Sequence, residues 1–171
     1  MKHTEKTAPE RRCFDAGDGR MTERFLIRPS QPPRTLLPGE TWTEAEGAML
    51  ALQPEASVAG VAGAGGIALG NEYVLGGWCS FRCRLAVPRR FAAREGARLA
   101  AGTPMDGILR GALCGTLQAL LAQAGDKTPQ GTARLKMQLN HQLQDAARRE
   151  LMGLGWQVTH CRLEEIRITR R

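Results

Sequence analysis

Six arginines between positions 82 and 98, Arg82, Arg84, Arg89, Arg90, Arg94 and Arg98, form the densest charge in the chain and are opposed locally only by Glu95. Guanidinium groups on a strand face that runs on into a helix can hold phosphate groups at a membrane surface or on nucleic acid. Their bland alternative is a solvated face in a chain where arginine greatly outnumbers lysine. A formal net charge of +7 and a pI near 9.7 favour an anionic partner such as phospholipid, nucleic acid or an acidic protein. An excess of arginine over lysine is also what a GC-rich coding bias produces, which makes the charge a weak pointer.

Other patterns fail on the surroundings their chemistry requires. Gly63-Ala64-Gly65-Gly66-Ile67-Ala68 matches a dinucleotide fingerprint with Ala at its last position. That mechanism needs a helix N-terminus directly behind the glycines to hold a pyrophosphate, and here further glycines and a strand pattern follow, which predicts a hairpin or loop. Gly125-Asp126-Lys127-Thr128 lacks the glycine next to lysine that a P-loop requires. Cys79 and Cys83 share a strand face, whereas His160 and Cys161 are sequence neighbours and face opposite ways. No tetrahedral ligand set converges from that spacing, so both strand cysteines read as small core residues. His141 falls in a helix without a marked nucleophile or carboxylate partner. Glu164 and Glu165, adjacent on a strand, are expected to diverge as surface charges and not to form an acid–base pair. The expectation is a chain with no catalytic residue, cofactor or metal; an enzyme assembled from scattered residues is left open.

The 171 residues suit one domain with one core. Residues 1–22 are charged, broken by Pro9, Gly17 and Gly19, and read as a mobile tail ahead of a domain over 23–171. Phe25-Leu26-Ile27 predicts a strand stopped by Pro29, Pro32 and Pro33; Pro38-Gly39 marks a turn, and weak alternation returns over Ala48 to Leu52. The glycine-rich stretch 56–77 predicts strands joined by glycine turns. Tyr73 to Val87 alternates, with Trp78, Ser80, Arg82 and Arg84 opposite Cys79, Phe81, Cys83 and Leu85. Pro88 ends that strand, and a short helix follows over Arg89 to Ala101.

Thr103-Pro104 and Asp106 predict a helix start, with Thr103 as the capping hydroxyl, and Gly125 a helix end. Leu109, Leu113, Leu117 and Leu121 recur on one face of that helix. Gly107, Gly111, Gly115 and Ala119 form a second stripe that predicts a closely packed neighbour. After a polar linker, Thr132 to Met152 carries Leu135, Leu139, Leu143, Ala147 and Leu151 on one face. Trp156 to Ile168 predicts a last strand, bulged between His160 and Leu163. The predicted class is α+β: a mixed twisted sheet, two consecutive packed helices and a C-terminal strand. An odd number of cysteines (Cys13, Cys79, Cys83, Cys114 and Cys161) and the lack of an apolar leader fit a reduced, cytoplasmic chain. No window reaches the roughly 20 apolar residues of a spanning helix.

Gly77-Trp78-Cys79-Ser80-Phe81-Arg82-Cys83-Arg84-Leu85 followed by Pro88-Arg89-Arg90-Phe91 resembles the band-7 (stomatin, prohibitin and flotillin) domain, in which a strand leads through an Asp-Pro turn into a Phe-bearing helix. Val87 stands here in place of that Asp. The helix of Ile108 to Ala124, the helix ending Leu151-Met152-Gly153-Leu154-Gly155-Trp156-Gln157-Val158, and Leu163-Glu164-Glu165-Ile166 are similar to the family's paired helices and last strand. The resemblance covers about residues 72–168 and rests on pattern more than on invariant residues; Ile27-Arg28-Pro29-Ser30-Gln31 and Leu37-Pro38-Gly39 match only loosely. It implies a non-enzymatic, oligomeric scaffold or adaptor of the bacterial stand-alone type, acting through protein partners or self-association. The family's membrane hairpin and long coiled coil are missing from this sequence. Contact with the inner face of an anionic membrane would then fall to the six arginines. The alternative is a nucleic-acid-binding module that uses the same face, disfavoured by the scarcity of aromatic stacking platforms.

Overall fold

The computed structural model describes residues 12–13, 22–124 and 132–171. Three prolines end the first apolar run, so the chain starts with short strands: β1 (Arg12–Cys13), β2 (Glu23–Ile27), β3 (Arg34–Leu36) and β4 (Thr41–Trp42). A 3-10 turn at Glu44–Glu46 precedes β5 (Ala48–Leu52). These strands make two small sheets, β1-β4 and β3-β2-β5. Apart from Arg12–Cys13 and residue 22, the expected tail over 1–22 lies outside the described residues, as does the linker around Gly125 to Gly131.

The larger sheet, in the order β6-β7-β8, is built from β6 (Ser57–Leu69), β7 (Tyr73–Leu85) and β8 (Trp156–Arg170). Every pairing in all three sheets is antiparallel. The α+β class holds, and the parallel component of the expected mixed sheet is not found among the described residues. The chain returns to β8 through helices that leave it antiparallel to β7.

The glycine-rich stretch forms strands joined by a glycine turn as expected, but with a single turn, so that most of its glycines lie inside the one long strand β6. Cross-strand packing overrides the poor strand propensity: the ring of Phe81 lies over Gly60, where an added Cβ would meet it at 3.1 Å. Gly65 and Gly66 fall in an irregularity of the ladder between Ala64 and Ile67, and the chain turns only at Gly70 to Glu72. β7 alternates as expected, with Cys79, Phe81, Cys83 and Leu85 buried and Trp78, Arg82 and Arg84 exposed.

Between β7 and β8 come α1 (Pro88–Ala100), α2 (Met105–Gln123) and α3 (Thr132–Gly153). α1 packs on β2 and β5, α2 on β6, and α3 on β8. The leucine stripes face the sheet as expected: Leu113, Leu117, Leu139 and Leu143 are all buried. One core joins them to Phe25, Leu52, Leu75 and Trp156. Phe91 of α1 meets Trp156 edge-to-face at 5.3 Å between ring centroids, a contact worth about 0.5–1.5 kcal/mol beyond its burial. At the α3–β8 turn, Gly155 (φ 89°) accepts the N–H groups of both Ala86 and Val87; a Cβ there would lie 2.5 Å from the Val87 oxygen.

Two local expectations are corrected. Pro104, not Thr103, occupies the cap position of α2, with no side-chain cap; proline's fixed φ sets the first turn while Ile108 N–H closes onto the Pro104 carbonyl. The stripe of small residues on α2 does not face a close neighbour, since Cβ atoms at Gly111 and Gly115 would have nothing within 4 Å. α3 packs beside α2 and leaves that stripe along an open groove lined also by Ala146, Arg149 and Glu150.

Candidate binding surfaces

The helices cover one face of the large sheet, and the other face is open. Arg82 and Arg84 project from the open face of β7, whereas Arg89, Arg90, Arg94 and Arg98 lie on the solvent side of α1. Arg84 is engaged with Glu55 at 2.6 Å and Gln157 at 2.7 Å, and Arg98 pairs with Glu95 at 3.0 Å. Arg90 donates to the Met152 carbonyl. The guanidinium groups of Arg82, Arg89 and Arg94 make no hydrogen bond or ion pair with the described residues. The strand pair and the helix four thus sit on successive elements, with half of the charges already engaged within the chain.

β8 carries two extra residues. Arg82 pairs with His160 but Cys83 with Val158, and Trp78 pairs with Glu165 but Cys79 with Leu163. The extra residues are therefore Thr159 and Glu164, which flank the expected bulge position. Bulging at Glu164 overturns the divergence expected of the two glutamates, because an inserted residue resets the alternation. Both now reach the open face: Glu164 accepts from Ser80 Oγ at 2.5 Å, and Glu165 accepts from Trp78 Nε1 at 3.0 Å. Arg167, then the Trp78 indole, hold the Glu165 carboxyl below its ordinary range.

His160 Nε2 lies 3.3 Å from Ser80 Oγ, so serine, histidine and glutamate meet in a cluster the sequence pattern did not reveal. Its wiring differs from a hydrolase triad, where histidine bridges serine and acid. Here serine is the bridge, its hydroxyl donates to the acid, and histidine is exposed on an open sheet. The only sequence signals for this cluster were the strand register and the bulge. His141 sits exposed on α3.

Cys79, Cys83 and Cys161 are buried on the inner face and His160 points away, as expected from alternation. Cys79 and Cys161 are close enough for one thiol to bond the other. That bond, then burial, pushes Cys79 up; the same bond, with Arg148, draws Cys161 down against the opposing effect of burial. Burial raises the Cys83 thiol to about 11. No cluster of three or more metal-binding side chains occurs among the described residues. The dinucleotide-like glycines lie inside β6, with a strand and not a helix behind them. Gly125 to Thr128 lies outside the described residues.

The two edges of the large sheet differ. On β8, Asn140 of α3 accepts the Leu163 N–H at 2.8 Å and Lys136 donates to the Glu164 carbonyl, so α3 side chains occupy that edge. Charged residues and two bulges protect it further. β6 pairs only with β7, and among the described residues no backbone group on its outer edge has a partner. Its 13 residues include no ionisable side chain, and Val61 is 54% exposed beside it. No described helix is long and apolar enough to cross a membrane. No family model matches the chain, and no curated protein matches it.

Proposed function

We propose that this chain is a non-catalytic scaffold domain of band-7 type that self-associates through the outer edge of β6, with the arginine face of α1 turned toward an anionic surface. The observation carrying this reading is the long uncharged edge. An open strand is a template for another strand, and soluble proteins ordinarily blunt such edges with charge, proline or cover. Among the described residues this edge has none of these, in a chain of net charge +7 that would otherwise repel its own copies. A second copy meeting β6 antiparallel brings no ionisable side chain of that strand against its counterpart. The succession of a basic strand, a Pro-initiated helix, two leucine-striped helices and a last strand also supports the likeness. The Ser80 cluster is not wired as a hydrolase triad among the described residues, where its histidine has no acid partner on the side away from serine.

Sedimentation velocity over a concentration series tests the association. The wild-type chain is expected to form dimers, whereas Ala59→Lys and Val61→Lys, which place charge on the exposed side of β6, are expected to be monomers with unchanged circular dichroism. A wild-type chain that stays monomeric throughout, or lysine variants that dimerise equally well, would refute the edge as the means of assembly.

A further inference from the structure

Where α1 begins, α3 ends and β8 starts, the surface holds an apolar hollow of about 470 Å³ whose wall includes Val87, Arg90, Arg148, Met152, Trp156 and Val158. That volume lies within the roughly 300–1,000 Å³ range of small-molecule sites. A second, polar hollow of about 210 Å³ shares Arg148 and Val158 with it and adds Asn140, Gln144, His160 and Arg162. Neither wall contains an acidic residue, while Arg90, Arg148, Arg162 and His160 supply positive or protonatable groups. Val87 and Met152 are 40% and 62% exposed, so apolar surface is left uncovered immediately beside that charge.

The cations are arranged to receive a ligand. Arg90 Nη1 donates to the Met152 carbonyl at 3.0 Å, which ties α1 to the last turn of α3 and leaves the rest of the guanidinium unbonded among the described residues. The carboxylate paired with Arg148 is Asp145 at 3.8 Å, with both side chains well exposed, an attraction of little strength. The first turn of α1 has no acidic residue to complement its dipole. Trp156 adds a fully buried indole whose N–H has no hydrogen-bond partner among the described residues. Apolar wall on one side and cations on the other call for a molecule with both characters.

We propose that the joined hollows bind a single-chain amphipathic anion, with its hydrocarbon against Val87, Met152 and Trp156 and its charged head at Arg148. Neither free phosphate nor a neutral lipid satisfies both halves. The site lies on the β8 side of the sheet, two strands from β6, and does not depend on self-association. Decanoate, kept below its micelle concentration, is the probe, titrated into the full chain and followed by calorimetry and tryptophan fluorescence. Saturable one-to-one binding is expected, with decanol and acetate each weaker. Arg148→Gln should weaken decanoate binding by about ten- to a hundredfold, the loss of one hydrogen bond to a charged group. Met152→Trp, at an exposed position, should fill the apolar hollow and abolish binding with circular dichroism unchanged. Absence of saturable decanoate binding, decanol binding as tightly as decanoate, or undiminished binding in either variant would overturn the assignment.

Discussion

Replacing Gly111 and Gly115 of α2 together by alanine tests where the outer helix layer ends. Alanine is favoured over glycine in a helix interior by about 0.8–1.0 kcal/mol per residue. Added Cβ atoms at these two positions have nothing within 4 Å, so no steric cost offsets the gain. The double variant should therefore gain about 2 kcal/mol. For a chain of this size that corresponds to a rise in melting temperature of about 4–8 °C. On the opposite face of the same helix Leu117 is 1% exposed, and Leu117→Ala should cost about 2–5 kcal/mol. Urea unfolding followed by circular dichroism reads both changes, with an unchanged m-value confirming that stability alone has moved. A neutral or destabilised double-alanine variant would refute the reasoning. It would mean that another chain or helix lies against the stripe, as the i+4 spacing of its small residues led one to expect.

Two further perturbations follow from the surfaces. Because the folded-state pKa of Glu165 is depressed, its contacts with Arg167 and Trp78 act at pH above the unfolded value and are lost as pH falls through the folded one. Trp78 emission should thus change with a midpoint below the ordinary glutamate range and not change in Glu165→Gln; a midpoint at or above that range would contradict the hydrogen bond. Changing Arg89, Arg90 and Arg94 together to Gln should abolish binding to phosphatidylserine vesicles at about 150 mM salt, where a Debye length near 8 Å screens casual attraction. Retained vesicle binding removes these arginines from the lipid argument, and loss of duplex or single-strand binding instead assigns them to nucleic acid.

The helices were legible because their signals are periodic and redundant: the leucines of α2 and α3 repeat at i+4, and each one tested by burial lies inside. β7 was legible for the same reason at period two. β6 was not, because its glycines carry little pattern of their own and are held extended by a partner, Phe81 over Gly60, that local reading does not supply. The open-face cluster was hidden for a subtler reason. Ser80, His160 and Glu164 are far apart in sequence, and only the residue inserted at Glu164 brings both glutamates to one side. A bulge was expected nearby, but its consequence for side-chain direction depends on the residue at which it occurs. The arginines were visible as a count; that Arg84 and Arg98 are engaged by Glu55 and Glu95 depends on tertiary position in the first case and helical spacing in the second.

The unequal edges of the large sheet also limit what kind of assembly can form. Rings and filaments need two different complementary surfaces on each copy, whereas a two-fold pair needs one surface that complements itself. With α3 side chains bonded to β8 and bulges disrupting its line, strand addition there would have to break the Asn140 and Lys136 contacts first. β6 has its own irregularity at Gly65 and Gly66, but among the described residues no side chain is bonded along its outer edge, so sheet pairing through Ser57 to Ala64 would use that long edge on each copy and leave two protected β8 edges facing outward. The remaining edges, in the small sheets, belong to strands of at most five residues. With the edges of the described residues, strand pairing would therefore close at two copies. Any larger scaffold must be built from these pairs through a different surface, and the groove beside Gly111 and Gly115 is open to that use only so far as the alanine variant finds it empty in the isolated chain.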